Sequence, residues 1–253
     1  MKARSAVIGH LGRIGALLAL CVVALQIVFA LRIGLMRWVA PESTTFQRSE
    51  AWRLLLEQHR INWAQQWVPG SAIAAQLKRA VIASEDAGFV DHGGVDWDAI
   101  EKAWQRNQRA DQRADQRVAQ RAGSRNDARP PKLVGGSTIT QQLAKNLLLS
   151  GERTALRKGQ EFVLTLLLEA LLGKQRILEI YLNHVEWGEG VFGAQAAARH
   201  YFRVNAVRLG AEQSARLAVM LPAPKRFEKR PASPFLLGQS AVVMARMGAV
   251  ELP

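Results

Sequence analysis

A single uninterrupted apolar segment near the N-terminus constrains this 253-residue chain more than any other feature. Residues 14–31 read IGALLALCVVALQIVFAL, a run without a charge in which Gln26 is the one strongly polar side chain. A helix rises about 1.5 Å per residue, so this run nearly crosses a hydrocarbon layer of about 30 Å, and residues up to 36 can extend it. The sequence therefore predicts a transmembrane helix over 14–36.

Basic residues flank this segment and bear on its orientation. Lys2, Arg4 and Arg13 precede it, which predicts a cytoplasmic basic tail over 1–13 and a body outside the cytoplasm. Two alternatives stay open at this point. A cleaved signal peptide ending near Ala30 would remove the segment, and a core helix would bury it inside the protein.

The remaining chain, 41–253, is predicted to be a mainly α-helical domain. With 49% hydrophobic and 22% charged residues the composition is globular, which excludes a disordered or fibrous protein. The single cysteine, Cys21, excludes an internal disulfide and a multi-cysteine zinc site. Apolar spacing and caps predict helices beginning near Ile73, after Asp96 and after Ser137, and over 154–182, 194–202 and 211–220. The stretch 162–172 is apolar on nearly every side, so we expect a helix buried all round.

The charge balance points to an anionic partner. Lys and Arg number 34 against 21 Asp and Glu, a net charge of +13, which suits nucleic acid, a membrane surface or a phosphate-bearing substrate. Residues 105–132 lack Phe, Ile, Leu, Tyr and Trp and repeat ADQR at 110–117. This composition favours a solvated low-complexity insertion, and a basic helical stripe that binds anionic lipid is the alternative.

The first cluster that could carry chemistry is Glu85-Asp86, followed by Phe89 and His92 among glycines. Glu85 falls at the end of an apolar helix just before a bend. Partial burial there would raise its pKa toward the range of a general base. The alternative is a helix end that carries surface acids.

The second cluster is GGSTITQQLAKN at 135–146. Ser137 is the predicted N-cap, and Ser137, Gln141 and Lys145 share one helix face, opposite the leucines. Free N–H groups at such a helix start suit an anion, although a simple capped amphipathic helix would also account for the leucines.

The third cluster places Arg153, Arg157 and Lys158 around Glu161. A surface ion pair is the simpler interpretation. A carboxylate ringed by cations beside an apolar helix nevertheless favours a phosphate-handling site.

One glycine motif matches a dinucleotide-binding fingerprint but lacks its structural context. Residues 188–193, GEGVFG, fit the dinucleotide fingerprint G-x-G-x-x-G, and Glu212 stands near the position of the ribose-binding acid. That fingerprint requires a preceding strand, whereas 177–182 continues a helical pattern. We therefore expect a tight loop over a cleft rather than a nucleotide site.

Together these blocks resemble the peptidoglycan glycosyltransferases of glycosyltransferase family 51. The similar blocks run in the family's order over about 70–235: Glu85-Asp86 with Phe89 and His92, GGSTITQQLAKN at 135–146, RKGQE at 157–161, ILEIYLN at 177–183, GEGVFGAQAAARHYF at 188–202 and LAVMLPAP at 217–224. No Ser-x-x-Lys or Lys-Thr-Gly motif occurs, so the transpeptidase half of the bifunctional members is missing. One membrane helix and one such domain are similar to the monofunctional biosynthetic members. The long basic stretch 105–132 departs from the shorter, partly apolar join that is usual in the family.

The resemblance implies a lysozyme-like, two-lobed fold whose smaller lobe leans on the membrane. It implies polymerisation of lipid II into β-1,4-linked glycan with inversion and release of undecaprenyl pyrophosphate. Glu85 would be the general base, and Glu161 a second acid that steers the leaving group or holds Mg²⁺ or Mn²⁺, with no organic cofactor. The implied binding residues are Lys145, Arg153 and Arg157 for pyrophosphate, and Ser137, Gln141, Gln142 and Asn146 for the donor cleft. The implied supporting residues are Asp86, Phe89 and His92.

The same resemblance implies a place in the cell. The chain would be a single-pass protein of the inner membrane, with a cytoplasmic N-terminus and a periplasmic catalytic domain. Its partners would be lipid II, the growing glycan, membrane lipid and other cell-wall synthesis proteins, and not nucleic acid. A lytic, lysozyme-like hydrolase and a non-catalytic basic membrane scaffold are the alternatives.

Overall fold

The computed structural model describes residues 2–120, 136–152 and 154–253. These residues form eleven α-helices: α1 (Lys2–Leu35), α2 (Thr45–Gln58), α3 (Ala75–Glu85), α4 (Trp97–Gln120), α5 (Ile139–Leu148), α6 (Ala155–Leu171), α7 (Lys174–His184), α8 (Ala194–Phe202), α9 (Ala211–Met220), α10 (Pro224–Glu228) and α11 (Pro234–Met247). They also form three short strands: β1 (Ala64–Gln65), β2 (Glu186–Gly188) and β3 (Val191–Phe192). The mainly α-helical prediction is confirmed.

The core is built from two groups of helices. In one, α3 packs against α9 and α11; in the other, α5 packs against α2, α6 and α7. The apolar positions of α3 and α5 that have helical spacing, such as Leu77, Val81, Leu143 and Leu147, are almost fully buried. Both helices are therefore fixed along their length by apolar burial, which positions the polar residues at their ends.

The apolar N-terminal segment stands outside this core. Residues 12–35 of α1 are long and apolar enough to cross a membrane. The C-terminal end of α1 is nevertheless attached to the domain, because Ile33 and Met36 are buried. Gln26, the strongly polar residue of the run, exchanges two hydrogen bonds of 3.0 Å with Gln160 of α6. α1 and the domain are thus held together by packing and by a paired amide.

Residues 154–182 form two helices rather than the single helix expected from the sequence. α6 ends at Leu171 and α7 begins at Lys174, with Gly173 as the N-cap of α7 in an extended conformation. The expectation that 162–172 is buried all round is also wrong. Phe162 and Leu166 are 38% and 45% exposed, while Leu164 and Leu168 are fully buried. α6 therefore has an exposed apolar face, and the same helix packs against α1.

Asp96 begins α4, as predicted, since its Oδ1 atom accepts a hydrogen bond of 2.7 Å from the Ala99 amide. The helix then continues to Gln120 and includes the first part of the basic stretch. The remainder of that stretch, 121–132, lies outside the described residues.

The glycine motif at 188–193 forms a hairpin rather than the start of a nucleotide-binding unit. β3 pairs antiparallel with β2 and parallel with β1. These strands of two or three residues were not predicted. Gly193 then serves as the N-cap of α8 with φ +83° and ψ 153°, a conformation that is essentially restricted to glycine.

Gly193→Ala should destabilise the domain. An alanine there would be strained by the positive φ, and its Cβ atom would also clash with the Asn183 carbonyl oxygen, 2.6 Å away. We expect the free energy of unfolding to fall by about 1–3 kcal/mol. Thermal unfolding in detergent should show this as a fall of several degrees in Tm. Gly210→Ala is the matched control, because Gly210 caps α9 with φ −77° and a Cβ atom there would make only an ordinary contact of 4.0 Å with Gln213. Equal effects of the two substitutions would contradict this interpretation.

Candidate active site

Segments that are distant in the sequence enclose a cleft of about 650 Å³. Residues of α2, α5, α6 and β2 line it, together with the loops that follow α5 and α9. Seven predicted site residues line this cleft: Ser137, Gln141, Gln142, Lys145, Asn146, Arg157 and Glu161. Glu85, Asp86, Phe89 and His92 do not line it, and Arg153 lies outside the described residues.

Glu85 is the last residue of α3 and is connected to the cleft through Gln142. Its Oε2 atom accepts a hydrogen bond of 2.9 Å from the Gln142 side-chain amide. The buried hydroxyl of Tyr181 donates to the other end of that amide at 3.1 Å, and burial keeps this phenol neutral by raising its pKa. Because a neutral phenol donates to the amide oxygen, the amide N–H₂ must face Glu85.

Burial governs the ionisation of Glu85. Desolvation is the largest effect and raises the pKa of this carboxyl, the hydrogen bond from Gln142 lowers it, and the nearby charge of Asp86 raises it. The side chain remains partly accessible. It is therefore a stronger base than a surface carboxylate, and a small group such as a hydroxyl can reach it.

Asp86 joins three parts of the structure. One oxygen accepts a hydrogen bond of 2.9 Å from the Ile139 amide at the start of α5. The other accepts from Nε2 of His92 at 2.8 Å; the Gly94 amide donates to Nδ1 of that ring, so Nε2 carries the proton. Phe89, fully buried beneath this turn, donates its backbone amide to the Asp86 carbonyl. These residues hold the turn and α5 together rather than facing the cleft.

The start of α5 differs from the prediction. Thr138, not Ser137, is the N-cap, and Thr138 and Gln141 form a reciprocal capping box. Thr138 also donates a hydrogen bond of 2.6 Å to the Gly94 carbonyl, which fixes this residue in the interior. Ser137 is left exposed at the cleft, and the Gln141 side chain is occupied in capping.

The Arg157–Lys158–Glu161 cluster lies at the cleft on the first turns of α6. Arg157 Nη1 bonds one carboxylate oxygen of Glu161 at 2.7 Å, and Lys158 Nζ pairs with the other. Arg157 also has a buried Nε–H that finds no acceptor among the described residues. The cluster thus holds a neutralised carboxylate and surplus positive charge, and it includes a donor without an acceptor in the described chain.

A divalent metal does not fit Glu161 in this arrangement, because both of its oxygens already pair with cations. Elsewhere in the described chain, Asp86, His92 and Asp96 place one ligand atom each within 4.8 Å of one another. Both oxygens of Asp86, both ring nitrogens of His92 and one oxygen of Asp96 already form hydrogen bonds within the protein. Their arrangement is that of a structural network.

Sequence reasoning missed part of the cleft. Glu186 of β2 lines it and is 7% exposed, and burial raises its pKa to about 7. An acidic residue between Val185 and Trp187, both buried, is the only local signal that could have found it. Other lining residues are Thr45, Phe46 and Ser49 of α2, a segment without a motif, and Leu221, Pro222 and Pro224, which belong to the block 217–224 but were not predicted as site residues.

Asp86→Ala should destabilise the domain, because it leaves the Ile139 amide and the His92 N–H buried without an acceptor. We expect a loss of about 1.5–3 kcal/mol in the free energy of unfolding, the usual range for hydrogen bonds to a charged group. Chemical denaturation in detergent measures it. Asp91→Ala, at an exposed position five residues away, is the control and should change the stability by about 0.5 kcal/mol or less. Similar losses in both variants would argue against the structural role of Asp86.

Comparisons with known proteins identify the family of this chain. Residues 54–248 match the family model described as Transglycosylase. A biosynthetic peptidoglycan transglycosylase of Paraburkholderia xenovorans is 48% identical over 95% of this chain and 92% of its own length. Proteins of the same name from Burkholderia pseudomallei and Burkholderia thailandensis are 48% and 49% identical over 99% and 91% of the chain, and 90% and 82% of their own lengths. With a family model that spans most of the domain and near full-length relatives, the chain belongs to the transglycosylase family.

Proposed function

We propose that this protein is a peptidoglycan glycosyltransferase that polymerises lipid II into β-1,4-linked glycan and releases undecaprenyl pyrophosphate. The observation that carries the proposal is the pairing, at one cleft, of a carboxylate with a raised pKa and a group of cations. Glu85 lies next to the cleft and is hydrogen-bonded to the lining residue Gln142, and Lys145, Arg157 and Lys158 line the cleft. A base for an attacking hydroxyl and positive charge for a departing pyrophosphate are the two requirements of this reaction.

Glu85 acts as the general base. The 4-hydroxyl of lipid II forms a bond to the anomeric carbon of the growing chain as the bond from that carbon to the pyrophosphate oxygen breaks. The hydroxyl proton passes to Glu85, and the anomeric centre inverts. Burial supports this role because it strengthens the base, and the hydrogen bond from Gln142 holds the carboxylate in place.

The cations stabilise the leaving group. Arg157 carries a buried donor without an acceptor in the described chain, and Lys145 and Lys158 add charge along the same cleft. Glu161 positions Arg157 and Lys158 through its two ion pairs. Since both oxygens of Glu161 are occupied, these side chains rather than Mg²⁺ or Mn²⁺ neutralise the charge of the leaving group. The family resemblance adds Arg153 to the same set.

The anchor places this chemistry at a membrane. We propose that α1 crosses the inner membrane with its N-terminus in the cytoplasm and the domain in the periplasm, as the basic flank favours. The exposed apolar residues of α6, Phe162 and Leu166, together with Trp97 and Trp104 of α4, would then contact lipid. The amide pair of Gln26 and Gln160 keeps this surface next to the anchor. Other cell-wall synthesis proteins would bind from the periplasmic side.

Glu85→Gln should abolish polymerisation without weakening the fold. Glutamine keeps the acceptor for Gln142 but cannot take a proton, so we expect a loss of about 10²-fold or more in rate. Because the folded-state pKa of Glu85 is raised, its stabilising contribution is lost as the pH rises through that pKa. The variant should therefore match or exceed wild type in Tm at pH 8.

The measurement is gel analysis of polymer made from labelled lipid II in detergent, beside a thermal melt. Glu212→Gln, at an exposed position of α9, is the control and should polymerise at the wild-type rate. Wild-type protein that releases soluble fragments from finished glycan, and makes no polymer from lipid II, would identify a lytic enzyme instead. Undiminished polymer from Glu85→Gln would exclude this residue as the base.

A further inference from the structure

A second buried carboxylate, remote from Glu85 in the sequence, lines the same cleft. Glu186 lies on β2, and its side chain is 7% exposed. Its Oε1 atom is fully buried and has no hydrogen-bond partner among the described residues. A buried acceptor without a donor is costly to a folded protein, so its presence at a cleft calls for an explanation, and a donor supplied by a bound ligand is one.

The nearest cation only partly compensates this carboxylate. Lys225 Nζ lies 3.5 Å from Oε1 of Glu186, an ion-pair distance without hydrogen-bond alignment. The same ammonium lies 2.5 Å from Glu50 of α2, so its stronger interaction is elsewhere. Glu50 is also bonded by Arg53 at 2.9 Å, and Arg53 in turn bonds Glu57 and Glu189. Carboxylates thus outnumber cations in this network.

The charges around Glu186 restrict what can bind there. A phosphate would meet the uncompensated carboxylate and be repelled, so the pyrophosphate belongs with Arg157 and Lys158 on α6. A cationic ligand would compete with Lys225 for the position between Glu50 and Glu186. A neutral hydroxyl or amide N–H group can satisfy the free acceptor without disturbing either ion pair.

Apolar side chains share the cleft with Glu186. They are Val185, which precedes it in the chain, Phe46 of α2, and Leu221, Pro222 and Pro224 on the loop and helix that follow α9, and the hydroxyl residues Thr45 and Ser49 line the cleft with them. A sugar ring presents C–H faces and hydroxyl edges, so it fits a surface that combines apolar side chains with one oriented acceptor.

We propose that Glu186 is a sugar-binding residue, whose carboxylate accepts a hydrogen bond from a hydroxyl or acetamido N–H of a glycan unit in the cleft. Lys225 is its positioning residue. The proposal rests on the proposed function in that the bound sugar belongs to lipid II or to the growing chain. It adds to that function a sugar contact at β2, separate from the base and from the cations of α6.

The test compares Glu186→Ala and the isosteric Glu186→Gln with Glu57→Gln. Glu57 belongs to the same ion network but its side chain is 58% exposed and does not line the cleft. We expect Glu186→Ala to raise the KM for lipid II about tenfold or more and to change kcat less than threefold. Glu186→Gln, which keeps an acceptor oxygen, should have a smaller effect, and Glu57→Gln none.

Thermal melts at pH 8 separate binding from structure. If Glu186 served the fold through Lys225, both Glu186 variants would lose stability. Because burial raises the pKa of Glu186 to about 7, ionisation destabilises the folded state above that pH. We therefore expect Glu186→Gln to melt at or above the wild-type temperature. An unchanged KM in Glu186→Ala, or a lower Tm in both variants, would overturn the proposal.

Binding of chitotetraose, which has neither peptide nor pyrophosphate, separates this inference from the proposed function. Saturation-transfer NMR should detect chitotetraose binding to wild type and to Glu57→Gln, and no binding to Glu186→Ala. Chitotetraose binding that depends on Glu186 in a protein that makes no polymer would refute the function and support the sugar site. Equal binding by wild type and Glu186→Ala, or no binding together with no polymer, would overturn the sugar site.

Discussion

The two hydrogen bonds accepted by the Asp86 carboxylate are the constraint on which the rest of the site depends. They join the end of α3 to the turn at His92 and to the first amide of α5, 53 residues further along the chain. Once α5 begins at that point, its helical geometry brings Gln142 to 2.9 Å from Glu85. The long basic segment between these elements can therefore differ in length without moving the base relative to the cleft.

Electrostatics divide the cleft into regions with different tasks. On α6 the carboxylate of Glu161 is fully paired and leaves Arg157 with a spare donor. On β2 the carboxylate of Glu186 is incompletely paired and leaves a spare acceptor. If the pyrophosphate binds at α6 and a sugar at β2, as proposed, an elongated substrate has a defined direction in the cleft.

Much of this arrangement could be predicted because it rests on local signals. Helical spacing followed by a glycine-rich bend predicted the end of α3, and the capping residue Asp96 predicted the start of α4. The polar face of α5 is oriented by buried leucines on the opposite face, which is why most of the predicted cleft residues lie together.

What could not be predicted depends on tertiary contacts. Ser137 and Thr138 are both good N-caps, and the contacts of Thr138 with Gly94 and of Asp86 with Ile139 decide between them. A helical pattern continues through Gly173, so the break between α6 and α7 left no sequence signal beyond that glycine. Strands of two or three residues are too short to show alternation, and so Glu186 was not recognised.

The pH dependence of polymerisation in detergent, compared between wild type and Gln142→Leu, tests the central claim most directly. If Glu85 is the base and is held by Gln142, the rate falls on the acidic side as Glu85 takes up a proton. The hydrogen bond from Gln142 lowers the pKa of Glu85, so its removal must raise that pKa and move the acidic limb to higher pH. An acidic limb at the same pH in both proteins would show that another group takes the proton.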